Sequence, residues 1–208
     1  MEKIIIDADP GTDDFIALSL AIKSKKFDIL GITTVEGNCK LESAVENTFK
    51  TLDMCNSKNI KVYKGCKNNN LGTSNADDVH GNNGLGGVEY SKIDMKVEDI
   101  SAVDYLIDIV RKYPKEITIV ALGPLTNISE CIKKDKSFAS NVGKLVIMGG
   151  SASYGNITPY AEFNFYKDPE SVDNVLKSNF DKILIFGWDV TTKMPLLEKH
   201  ENVIKQSE

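Results

Sequence analysis

A doubly wound α/β fold, a mostly parallel sheet with helices on both faces, is what this sequence predicts. Three observations predict it. Apolar strand-like runs alternate with helix-like segments along the chain. The runs, of which Ile117-Thr118-Ile119-Val120-Ala121-Leu122 is the clearest, are nearly continuous in apolar character, as strands covered on both faces are. The first run, Ile4 to Ile6, passes through a Pro10-Gly11 turn directly into a helix-like segment.

Taken in order, strand Ile4–Ala8 leads to helix Phe15–Ser24, and strand Ile29–Val35 leads to helix Glu42–Cys55. Lys61–Tyr63 follows as a short strand, then a Gly/Asn-rich loop and helix Ala102–Lys112. Strand Ile117–Leu122 is followed by helix Leu125–Lys133, and strand Lys144–Met148 opens a second long loop. The next helix has a strong start signal, with Asp168 as N-cap and Pro169 at the first helical position. Strand Lys182–Phe186 and a charged helix from about Leu196 complete the chain, with His200 on its solvated face. Residues 1–208 thus read as a single domain, whose site belongs at the carboxyl ends of the strands.

Composition narrows the function classes. A chain of 208 residues, 41% apolar and 26% charged, is long enough for a sizeable core. A net charge of -5 leaves no electrostatic footprint for nucleic acid, and no apolar stretch reaches membrane-spanning length. Arg111 is the only arginine, so there is no arginine clamp for a phosphate-rich substrate. Cys39, Cys55, Cys66 and Cys131 are widely spaced, which with the absence of a leader-like N-terminus suggests buried, reduced thiols in a cytoplasmic protein. The sequons at Asn127 and Asn156 then carry no glycan.

The chemistry is concentrated in Asp7-Ala8-Asp9-Pro10-Gly11-Thr12-Asp13-Asp14. Asp7 and Asp9 point to one side of an extended chain, and the turn brings Asp13 and Asp14 onto the first turn of a helix. A helix N-terminus stabilises each nearby charge by only about 0.3–1 kcal/mol, too little for four carboxylates. Some must take up protons, or a cation must sit among them. With oxygen donors alone at hand, a hard ion such as calcium or magnesium fits. An EF-hand loop starting at Asp7 would need a glycine at Thr12 and an acidic residue at Leu18. A haloacid-dehalogenase-like phosphatase would need a threonine where Gly11 stands.

The segment Asp7–Asp14, with the small-apolar run Phe15-Ile16-Ala17-Leu18 after it, resembles the N-terminal signature of the nucleoside hydrolase family, the inosine-uridine-preferring nucleoside N-ribohydrolases. Four later segments are similar to motifs of the same family. They are Val35-Glu36-Gly37-Asn38, His80-Gly81-Asn82-Asn83-Gly84-Leu85-Gly86-Gly87, Gly123-Pro124-Leu125-Thr126-Asn127, and the loop from Met148 to Asn164. Gly187-Trp188-Asp189-Val190-Thr191 is also family-like, with Trp188 where leucine is more usual.

The resemblance implies a calcium ion held by Asp9, Asp14 and the backbone carbonyl of Leu122. It implies ribose hydroxyls gripped by Asp13, Asn38, Asn156, Glu162 and Asn164, and His80 as a substrate contact in a glycine-rich wall. Asp9 is then the general base and Asp7 a supporting residue. The substrate is a small ribonucleoside, with no nucleic acid and no membrane as partners, and the protein is expected to be a homo-oligomer. Members of the family continue past this length and supply a further metal-binding aspartate and, in many, a histidine acid. The chain is therefore expected to be a C-terminally incomplete domain and a poor catalyst by itself. The leading expectation is calcium-assisted hydrolysis of the N-glycosidic bond; the rivals are phosphate-ester hydrolysis with magnesium, and ribose or metal binding without catalysis.

Overall fold

In the computed structural model, which describes residues 1–67, 77–195 and 197, six strands form one sheet in the order β3-β2-β1-β4-β5-β6. The strands are β1 (Glu2–Ala8), β2 (Phe27–Thr34), β3 (Val62–Lys64), β4 (Ile117–Ala121), β5 (Lys144–Met148) and β6 (Ile183–Phe186), and every pair is parallel. The helices are α1 (Thr12–Ser24), α2 (Leu41–Met54), α3 (Asp77–His80), α4 (Ala102–Lys112), α5 (Thr126–Lys134), α6 (Phe138–Asn141), α7 (Phe163–Lys167), α8 (Pro169–Leu176) and α9 (Trp188–Thr191). The doubly wound parallel sheet expected from the sequence is present. The four short helices α3, α6, α7 and α9 are additions to that expectation, since runs of four or five residues carry no periodicity to detect. The last charged helix, with His200, lies outside the described residues apart from Leu197.

The alternation of strand side chains divides the core in two. Ile4 and Ile6 face one side, where Leu18 of α1 and Phe49 and Leu52 of α2 cover β1 and β2. Ile5 faces the other, among Leu106 of α4, Ile128 of α5 and Phe138 of α6. Each fully buried side chain of this kind contributes about 1.5–3 kcal/mol. The register between β1 and β2 shifts at Ile4/Ile5, leaving Leu30 as an extra residue before Gly31. The Leu30 carbonyl accepts the Tyr105 hydroxyl at 2.9 Å, and a Cβ on Gly31 would come within 2.8 Å of Tyr63. With that shift made, Asp7 lies opposite Thr33 at the carboxyl end of the sheet.

The strand order reverses between β1 and β4, which places the crevice of an open α/β sheet at their carboxyl ends. Asp7 and Asp9 leave β1 there, and Leu122 and Gly123 leave β4 beside them.

Candidate active site

At the end of β1 the chain turns through Pro10-Gly11, and α1 begins at Thr12, so Asp13 and Asp14 fall in its first turn. Asp7, Asp9 and Asp14 are buried, whereas Asp13 faces outward with its side chain 71% exposed. Asp7 Oδ1 accepts from Thr33 Oγ1 at 2.5 Å and from Asn127 Nδ2 at 2.7 Å, while its Oδ2 has no hydrogen-bond partner. Asp9 Oδ2 accepts the backbone N–H of Asn38 at 2.5 Å, and its Oδ1 is likewise buried without a partner. Asp14 Oδ2 accepts from Asn38 Nδ2 at 3.3 Å and the Gly11 N–H at 3.4 Å. Asn38 thus holds both carboxylates from the end of β2.

Two glycines make room for Asp9. A Cβ on Gly37 would lie 2.1 Å from Asp9 Oδ2, and one on Gly123 would lie 2.4 Å from Oδ1. Any side chain at either position would displace the carboxylate.

The electrostatics follow from burial. Removal from water pushes the Asp7 carboxyl up to about 6, against the lowering effect of its Thr33 and Asn127 hydrogen bonds. Burial, followed by the charge of Asp14, holds Asp9 well above the usual carboxylate range. Burial, followed by Asp13, raises Asp14 to about 7, and the two carboxyls titrate together. This pair retains a proton near neutrality because two buried carboxylates in contact cannot both be charged without a compensating cation.

The donor set can be tested against such a cation. Among the described residues no group of three or more His, Cys, Asp or Glu is arranged to hold a metal. The candidates are two carboxylates, Asp9 and Asp14, and the Leu122 carbonyl. All are hard oxygen donors, and the partnerless Asp9 Oδ1 is a buried acceptor still free to bind. The residues fit an oxygen-seeking cation with a partial protein shell.

The Leu122 carbonyl is already engaged, accepting from Asn164 Nδ2 at 2.7 Å, though a carbonyl oxygen has a second lone pair. Asn164 also donates to the Met148 carbonyl at 3.2 Å, so it ties the ends of β4 and β5 together. Glu162 is buried and caps α7. Its carboxylate accepts from Asn164 N at 2.9 Å, Phe165 N at 3.1 Å and Gly150 N at 2.8 Å. Burial raises the Glu162 carboxyl, and these three N–H groups oppose the rise. Asn156 is exposed, and its Oδ1 accepts the Phe163 N–H at 2.8 Å. These three polar side chains are therefore engaged within the 149–164 loop and its neighbours.

His80 is buried against the turn: its Nδ1 lies 2.9 Å from Thr12 Oγ1 and accepts the Thr12 N–H at 3.3 Å. Asp13 Oδ1 is 3.9 Å from the same nitrogen. Asp7, Asp9, Asp14, Asn38 and His80, remote from one another in part along the chain, thus meet around one turn. Three supports could not be read from the sequence. Asn127 donates to Asp7 and to the Thr34 carbonyl, and its Oδ1 accepts the Cys66 N–H. Asp189 accepts from Ser151 Oγ and Ala152 N, fastening the second loop. Asn47 of α2 bonds two site loops. Asn127 and Asp189 sit within family-like segments, whereas no motif points to Asn47.

The sequence profile of the family described as inosine-uridine preferring nucleoside hydrolase matches residues 4–208. Uridine nucleosidase 1 of Arabidopsis thaliana is 43% identical over 198 residues, which are 94% of this chain and 59% of the relative. A solved plant nucleoside hydrolase superposes with a TM-score of 0.88 at 40% identity, covering 92% of this chain and 61% of its own. A purine-preferring ribonucleoside hydrolase from Gardnerella vaginalis superposes with a TM-score of 0.93 at 35% identity, covering 98% and 66%. The chain thus spans about three fifths of the length of the curated relatives it matches.

Proposed function

Since the chain belongs to the inosine-uridine preferring nucleoside hydrolase family, we propose that it binds a ribonucleoside and takes part in hydrolysis of its N-glycosidic bond, with a calcium ion held by Asp9, Asp14 and the Leu122 carbonyl. The observation that carries the reading is the buried, partnerless Asp9 Oδ1, at the reversal of the strand order and in contact with a second raised carboxylate. Buried polar atoms without partners cost free energy unless something binds them, and a hard cation suits an all-oxygen donor set.

Cleavage of an N-ribosyl bond, like glycoside cleavage, passes through an oxocarbenium-like sugar. When bound, the cation supplies charge that acidifies a water and orients ribose hydroxyls. Asp9, held by Asn38 and confined by Gly37 and Gly123, is placed to take the proton of the attacking water, a step worth about 10²–10⁴ in rate. Asp13 is the exposed carboxylate of the group and reaches outward to a hydroxyl. Asn38 faces the same crevice. Asn156, Glu162 and Asn164 shape its far wall, and each exchanges a backbone partner for a ribose hydroxyl if it grips the sugar directly. His80, against Thr12, forms the near wall. Asp7 supports the cluster from beneath.

A cytoplasmic location and self-association complete the proposal. None of the four cysteines forms a disulfide, and no helix among the described residues is long and apolar enough to cross a membrane. Of the two edge strands, β3 and β6, it is β6 that leaves Leu184, Ile185 and Phe186 each partly exposed.

The test is release of free base from inosine and uridine by the purified protein, with and without calcium, alongside binding of an iminoribitol inhibitor. Calcium-dependent inhibitor binding is the expected minimum. Absence of both base release and inhibitor binding would overturn the reading.

A further inference from the structure

We propose that Asn47 is a positioning residue: its side-chain amide anchors the glycine-rich loop that carries His80 onto the turn after β1, and so sets the near wall of the ribonucleoside crevice. The residue lies in the middle of α2, only 1% exposed, and its side-chain hydrogen bonds go to Pro10, Asn83, Lys50 and the Cys39 thiol rather than to the aspartates or Asn38. Its Nδ2 donates to the Pro10 carbonyl at 2.9 Å and to the Asn83 carbonyl at 2.8 Å. Both hydrogens of one NH2 group are thereby used, one on each loop. Its Oδ1 accepts from Lys50 Nζ at 3.4 Å.

A primary amide is one of few side chains that donates twice from a single atom, and an aspartate of the same shape would face both carbonyls with lone pairs. The loop is built to come this close. Gly84 stands at φ +78°, and a Cβ there would lie 2.8 Å from Asn47 Nδ2 and 3.2 Å from the Pro10 carbonyl. Asn83, whose carbonyl takes the bond, organises the rest of the loop. Its Oδ1 accepts the N–H groups of Leu85 and Gly87, and its Nδ2 donates to the Val88 carbonyl. The Gly86 N–H donates to the His80 carbonyl at 2.7 Å. Asn47 is thus bonded to Asn83, Asn83 to Leu85 and Gly87 on either side of Gly86, Gly86 to His80, and His80 to Thr12, so the anchor is linked to His80 through the loop backbone.

The arm through His80 ends at Thr12, and the direct arm ends two residues earlier at Pro10. Pro10 precedes Gly11, whose N–H is bonded to Asp14, and a Cβ on Gly11 would lie 2.9 Å from His80 Nδ1. With the anchor cut, the loop and His80 lose their fixed distance from the aspartate turn. The aspartates themselves keep every bond described above. The expected consequence is weaker substrate binding with little change in the chemical step, a statement that rests on the proposed hydrolase reading.

The experiment is amide hydrogen exchange, read by mass spectrometry, on the whole chain in wild type, Asn47→Ala and Gly84→Ala. Both substitutions break the same contact from opposite sides, the second by intrusion of a Cβ. In both, amides of residues 81–88 are expected to exchange about tenfold faster, while those of β4 and α5 stay as in wild type. Unchanged loop exchange in Asn47→Ala, or equal acceleration in β4, would overturn the proposal, the latter by showing a merely structural role. In parallel, KM for the ribonucleoside should rise about tenfold with kcat within twofold of wild type. A loosened loop with unchanged KM would also overturn it. Wild type that neither turns over nor binds the iminoribitol inhibitor would count against the hydrolase reading, and the exchange rates would then decide on the anchor by themselves.

Discussion

The two walls of the crevice are built on opposite principles. At the end of β1, Asp7 Oδ2 and Asp9 Oδ1 are buried without partners, and burial raises the carboxyls of Asp7, Asp9 and Asp14. Across the crevice, the carboxylate of Glu162 takes three backbone N–H groups, and Asn164 holds two backbone carbonyls. The first region is unsatisfied and stores free energy that a cation can release. The second is satisfied and gives the site its shape. Binding energy should therefore come mainly from the aspartates, and stability mainly from the loop.

Substitution should break this symmetry in sign as well as size. The largest effect is expected from Asp14→Ala, which removes a ligand and should weaken calcium binding about a hundredfold or more, measured by calorimetry. In chelator the same variant should melt no lower than wild type, because a desolvated carboxyl has gone. Glu162→Ala should do the reverse. It leaves the Gly150 N–H and the first turn of α7 without acceptors and should destabilise the protein by about 1–3 kcal/mol in denaturant melts, with calcium affinity changed little. A calcium-free Asp14→Ala less stable than Glu162→Ala would remove the contrast.

The pH dependence sharpens it. The folded-state carboxyls of Asp7, at about 6, and Asp14, at about 7, lie above the ordinary aspartate value of 3.8, and Asp9 is raised as well. Between those values the folded protein holds more protons than the unfolded chain, so stability falls as pH rises through the window. In chelator, Tm should be higher at pH 5 than at pH 8. Saturating calcium should flatten the difference by taking the place of the proton. The smallest effect is expected from Asn156→Ala, which removes one exposed bond to the Phe163 N–H and should cost about 0.5–1.5 kcal/mol at most.

What the sequence made legible follows from chain distance. Asp7, Asp9, Asp13 and Asp14 sit within eight positions, so a strand, a turn and a helix start bring them together without help from the rest of the chain. Alternating apolar runs carried the parallel sheet in the same local way. The supports were hidden because their partners are remote: Asn127 bonds Asp7 across 120 positions, Asn47 bonds Asn83 across 36, and Asp189 bonds Ala152 across 37. Glu162 was hidden for another reason. Glutamate is not among the favoured N-caps, and a helix of five residues has no period, so nothing local marks it as a cap. Its spacing from Asn164 suited a sugar-binding pair, and in the fold the same spacing is that of an N-cap and the helix's second residue.

That a proton shared by Asp9 and Asp14 stands where a calcium ion would bind is tested most directly by calorimetric titration of calcium at pH 7. Repeating it in two buffers of different ionisation enthalpy counts the protons released on binding. Saturable binding to wild type with release of about one proton is expected, with loss of both binding and release in Asp14→Ala. Binding without proton release, or equal heats from wild type and Asp14→Ala, would contradict it.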